Sequence, residues 1–107
     1  MQANYLINQY EIGKTMVTSI AWVIGATGIA VDPSSVTLRV LMPGSSSPVV
    51  YVYGVDAVIV KDSVGQYHAN IVLNASGIVC YRWEAGGSYP DALENTVRVL
   101  PSNIISG

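Results

Sequence analysis

Val36-Thr37-Leu38-Arg39-Val40-Leu41-Met42 decides the fold, because Val36, Leu38, Val40 and Met42 fall on one parity while Thr37 and Arg39 fall on the other. This period-two alternation is the pattern of a strand with one buried face. Just downstream, Pro43-Gly44-Ser45-Ser46-Ser47-Pro48 is a turn bounded by prolines, which lack the amide a ladder needs. Val49 to Val52 with Tyr53 reads as the next strand, ending near Gly54, and Asp56 to Lys61 as a short one stopped by Asp62-Ser63-Val64-Gly65. Tyr67, Ala69, Ile71 and Leu73 then form an inward set opposed by His68 and Asn70, and Asn74-Ala75-Ser76-Gly77 turns the chain. Val79, Tyr81 and Trp83 face one way, Arg82 and Glu84 the other. Gly86-Gly87-Ser88-Tyr89-Pro90-Asp91 leads to a last strand from Glu94 to Leu100, closed by Pro101.

Upstream, Val31-Asp32-Pro33-Ser34-Ser35 is an extended connection, since Pro33 restricts Asp32, and Gly25-Ala26-Thr27-Gly28 is a turn. Lys14 to Ile24 is the first strand, with Met16, Ile20, Trp22 and Ile24 on its buried face. About seven short strands separated by Gly, Pro, Ser and Asp turns, with no helical period, predict an all-β fold. The expected architecture is an Ig-like antiparallel β-sandwich over residues 13–101, with extended arms at 1–12 and 102–107. Tyr5, Leu6 and Ile7 in the first arm and Ile104 and Ile105 in the second are apolar residues outside any strand pattern, which marks them as docking residues.

Composition limits what such a domain can do. The chain has 107 residues, 50% of them hydrophobic and 11% charged, which suits one compact domain. A net charge of −2 and a pI near 5.0 leave too few basic residues to neutralise a phosphate backbone. A mean hydropathy of +0.41 with no block of like charge argues against intrinsic disorder. Valine-rich strands with few charges put apolar side chains on the surface, and few lysines guard the sheet edges, so a neighbour's arm can extend the sheet. The first residues lack the basic start and apolar run of a secretory signal, and no apolar stretch is long enough for a bilayer, so the expected compartment is cytosolic.

The residues that could carry chemistry each have a plainer reading. Ile24-Gly25-Ala26-Thr27-Gly28 follows an apolar strand like a dinucleotide loop, but Val31 holds the third glycine position and Asp32-Pro33 blocks the helix that would face the pyrophosphate. His68 is the only histidine, and its strand parity points it to solvent or an interface rather than to a catalytic pocket. One histidine and one cysteine are too few for zinc, and Asp56, Asp62, Asp91 and Glu94 lack the dense spacing of a calcium loop. No enzyme, cofactor or metal is expected. The lone Cys80 is expected as a small core thiol. Asn74-Ala75-Ser76 matches a glycosylation sequon and reads as a turn. Tyr89, beside Gly86, Gly87 and Ser88, is a candidate contact for a partner or a sugar.

Four segments together resemble a known group: Tyr10-Glu11-Ile12-Gly13, Val31 to Val40 with Pro43-Gly44, Val60 to His68, and Gly77 followed by Tyr81-Arg82-Trp83-Glu84. Their order and spacing, over residues 10–100, are similar to those of the small Ig-like proteins encoded among tailed-bacteriophage structural genes. The resemblance implies a virion component made in the host bacterial cytoplasm, at the head–tail neck as a connector or head-completion protein, or on the capsid as a decoration protein. It implies a homo-oligomer in contact with portal, adaptor, tail or capsid proteins, while the charge balance and the lack of a long apolar run lead us to expect no nucleic acid or membrane as partner. A module that binds host-surface carbohydrate through Tyr89 is the other expectation. The paired cysteines of antibody domains are absent, and Trp22 or Trp83 is expected to fill the space between the sheets.

Overall fold

The computed structural model describes residues 9–24, 27–87 and 90–101. These form eight strands and no helix: β1 (Gln9–Glu11), β2 (Thr15–Ala21), β3 (Ser35–Leu41), β4 (Val49–Val52), β5 (Ile59–Ser63), β6 (Gln66–Val72), β7 (Gly77–Gly86) and β8 (Asp91–Leu100). They make a five-stranded sheet in the order β1-β8-β7-β3-β4 and a three-stranded sheet in the order β2-β6-β5. With β1 as a short leading strand, β8-β7-β3-β4 and β2-β6-β5 are the G-F-C-C′ and B-E-D layers of an Ig-like sandwich.

The strand from Val36 lies where its alternation puts it. Val36, Leu38 and Val40 are buried, and β3 pairs antiparallel with β4 on one side and β7 on the other. Two layers of inward residues meet between the sheets. Met16, Ile71 and Leu73 come from the smaller layer, and Leu38, Val79, Trp83 and Val97 come from the larger. Burying a side chain of this size contributes about 1.5–3 kcal/mol relative to leaving it in water. Trp83 is wholly buried, and its Nε1 donates to Thr18 Oγ1 at 3.0 Å. That bond joins β7 to β2 across the two sheets, the same pair of strands that a disulfide joins in antibody domains. Trp22 is also buried, near the end of the smaller sheet.

Several details differ from the sequence reading: the first strand, expected over Lys14 to Ile24, spans Thr15–Ala21, and the last, expected from Glu94, begins at Asp91. The eighth strand is β1, which falls inside the expected N-terminal arm and runs parallel to β8, with Tyr10 opposite Val99. A three-residue strand is too short to show a period, so its pairing comes from the tertiary fold. The strand expected from Asp56 begins instead at Ile59. Asp56 closes the preceding turn, where its Oδ2 accepts from Val52 N at 2.9 Å and its own amide donates to Val52 O at 2.8 Å. Cys80 is not a core thiol. Val79 beside it takes the inward position, so Cys80 lies half-buried on the outward parity, opposite Leu41 and Thr96.

Candidate interaction surface

The carboxylate of Asp32 ties together segments that are far apart in the chain. Pro33 holds the β2–β3 connection extended, and Asp32 Oδ2 accepts from Lys61 Nζ at 2.7 Å. Its Oδ1 accepts from the Gly65 amide at 2.7 Å and from Tyr67 Oη at 3.1 Å. The Lys61 ammonium, followed by the Gly65 amide, holds the Asp32 carboxyl below its usual range, and Asp32 in turn raises the Lys61 pKa. Burial, reinforced by the Asp32 bond, pushes the Tyr67 phenol up to about 12. Gly65 sits at φ +73°, where a Cβ would come within 2.6 Å of the Trp22 carbonyl oxygen and 2.9 Å of that of Val31. Only glycine lets the β5–β6 turn approach this closely. Two of the segments that carry the sequence resemblance, Val31 to Val40 and Val60 to His68, are joined at this carboxylate.

The outer face of the five-stranded sheet carries all three arginines of the chain, Arg39, Arg82 and Arg98, on outward parity. Arg39 and Arg82 lie opposite each other, and Glu84 keeps them from repelling. Arg39 Nε donates to Glu84 Oε1 at 3.0 Å and Arg82 Nε to Oε2 at 2.8 Å. Arg82 Nη1 also reaches Glu94 Oε1 at 3.4 Å. Arg82, then Arg39, holds the Glu84 carboxyl below its usual range, and Glu84 raises the Arg82 pKa. Beside this network Leu41, Pro48 and Cys80 line a shallow groove of 170 Å³. Burial there, and then Glu94, pushes the Cys80 thiol up, which favours its protonated form.

The edges matter most for what the surface can bind. β4 ends the larger sheet, and it has no charged residue among Val49, Val50, Tyr51 and Val52. Val49 and Val50 are 49% and 42% exposed. An apolar edge without lysine is open to pairing, here at the outward backbone of Val50, since the amide and carbonyl of Val52 are held by the Asp56 turn. On the smaller sheet, His68 lies outward on β6 and its Nδ1 lies 2.8 Å from Asp62 Oδ1 and 2.9 Å from Oδ2. Asp62 also lines an open depression of 310 Å³ with Ser19, Gln66 and Tyr67. Among the described residues no cluster of three or more His, Cys, Asp and Glu gathers to hold a metal.

The residues marked for docking, Tyr5, Leu6, Ile7, Tyr89, Ile104 and Ile105, lie outside the described residues. Reading the sequence did not find Asp32 as an anchor; its partners stand 29 to 35 positions away, a distance no local pattern spans. Arg39, Arg82 and Glu84 were legible as outward residues, but not as one network. Comparison of the chain with known protein families, with curated proteins and with solved structures finds no match in any of the three.

Proposed function

We propose that this chain is a non-enzymatic structural protein that works by assembly, pairing its exposed sheet edges and apolar rims with copies of itself and with other proteins of a particle. The observation that carries the reading is the uncharged, valine-rich edge at β4, with Val49 and Val50 open to solvent. An added strand would bond the outward amide and carbonyl of Val50, those of Val52 being held by the Asp56 turn, and would cover the exposed valines. The resemblance of four segments to small Ig-like phage proteins makes a tailed-phage virion the proposed setting and the head–tail neck the proposed place in it. At the neck, a closed ring of copies would contact portal, adaptor or tail proteins.

Incorporation into particles tests the proposal. Val50→Lys sets a charge on the β4 edge and is expected to cut the copies per particle at least about tenfold while the purified domain stays folded. Undiminished incorporation would sink edge pairing at β4. Copy number also places the protein, because a small ring fits the neck and many copies over the shell fit capsid decoration.

A further inference from the structure

Two charges on the outer face of the five-stranded sheet lack a close partner. Arg98 stands between Ile78 on β7 and Gln9 on β1. It forms no ion pair among the described residues, which include all seven acidic residues of the chain, not even with Glu11, diagonal to it on β1. Glu94, on the same strand and the same face, has only the long 3.4 Å contact to Arg82, and its side chain is 55% exposed. Glu94 and Arg98 lie about 13 Å apart along β8, so they cannot satisfy each other. Midway between them is Thr96, and the register carries that position across the face through Cys80 to Leu41. Leu41 and Cys80, with Pro48, line the shallow groove, and Ile78, the next outward residue on β7, is 57% exposed.

We propose that this face binds a second copy of the chain, stacked face to face about a two-fold axis that lies across the strands, along the row Leu41, Cys80 and Thr96. Charge complementarity carries the inference. A half-turn about that axis sets each strand over its own counterpart and reverses its direction. Arg98 then meets Glu94 of the second copy, and Glu94 meets Arg98 of the second copy, so one operation pairs both charges twice. Ile78 meets the aliphatic stem of Arg82 of the second copy, while Leu41, Cys80 and Thr96 meet their own equivalents. The alternative two-fold axis, along β7, would set Arg82 against itself, a juxtaposition of like charge that disfavours it.

The arrangement has the anatomy of a protein interface, with less polar side chains along its middle and ion pairs outside them. Five strands about 4.8 Å apart, over about 25 Å of their length, present about 600 Å² per copy, the lower end for a specific interface. An interface of that size is expected to hold a dimer in the micromolar range. Stacking of this face and backbone pairing at the β4 edge are separate contacts, so the inference goes beyond the assembly reading and does not rest on it.

Two measurements on the purified full chain test it. Sedimentation velocity from about 1 to about 100 μM should show a reversible dimer that added salt weakens. R98E and E94R should each weaken dimerisation at least about tenfold, R98E/E94R should restore it because both pairs then invert, and E11Q should leave it unchanged. A monomer at every concentration, single variants that dimerise like the natural chain, or a double variant no better than the singles would overturn the proposal. NMR on the natural chain gives a check that no substitution can disturb. Amide signals that move with concentration should centre on Leu41, Cys80 and Thr96, and movement confined to β4 or to the smaller sheet would contradict the face. Particle incorporation plays no part in either measurement, so failure here and failure of the assembly reading are separate results.

Discussion

Asp32 shows how one side chain can fix a loop that no local pattern holds. Its carboxylate satisfies an ammonium, a phenol and a backbone amide at once, which sets the β2–β3 connection against the β5–β6 turn. Asp32→Asn removes the ionic part of this tie and should lower the denaturant midpoint near neutral pH. Both Asp32 and Glu84 have pKa values held below those of an unfolded chain. Their contribution is therefore present above the unfolded carboxylate range of about 4 and is lost as pH falls through their folded values. Midpoints measured from pH 7 downward should show this acid limb, and it should be shallower in Asp32→Asn. Tyr67 behaves in the opposite sense. Its folded pKa of about 12 lies above the unfolded value of about 10, so its contribution is whole below pH 10 and is lost as pH rises towards 12. Tyr67→Phe should flatten that alkaline decline. Gly65→Ala would force a methyl group against two carbonyl oxygens at positive φ and should cost more than about 1 kcal/mol in chemical denaturation. Thr18→Val leaves the buried Trp83 N–H without its acceptor and should cost about 1–3 kcal/mol, with a change in the Trp83 fluorescence.

Strands were legible in the sequence wherever one face is buried and the other wet. β3, β6 and β7 show this most clearly, since their inward sets, Val36-Leu38-Val40, Tyr67-Ala69-Ile71 and Val79-Tyr81-Trp83, alternate with polar residues. β1 was not legible, because three residues carry no period and a parallel partner 89 positions away leaves no local mark. The start of β5 was misplaced because Val55, Ala57 and Val58 look like strand residues, yet Gly54 at φ +89° and the Asp56 carboxylate keep that stretch in a turn. For the interaction surface, composition showed that few lysines guard the edges, but only the sheet order shows which strand is an edge and that Lys61 lies on one of them, β5. β4 is one, and Val50→Lys tests it with little expected change in stability, within about 0.5 kcal/mol for a surface substitution.

At the level of the whole molecule, two apolar sheets are joined in the core by the Trp83 to Thr18 bond and at one end by Asp32, and β4 ends the larger sheet with Val49 and Val50 exposed. Edge pairing needs no catalytic group, and it uses what this chain has most of, exposed valine backed by regular backbone. The most direct test of the proposal is electron cryo-microscopy of tailed-phage particles assembled in cells that make this chain, at a resolution that separates strands. The account predicts the protein in contact with its neighbours through β4, with a strand from the adjoining protein about 4.8 Å from Val49–Val52. Particles that lack the protein, or that hold it with the β4 edge facing solvent, would contradict it.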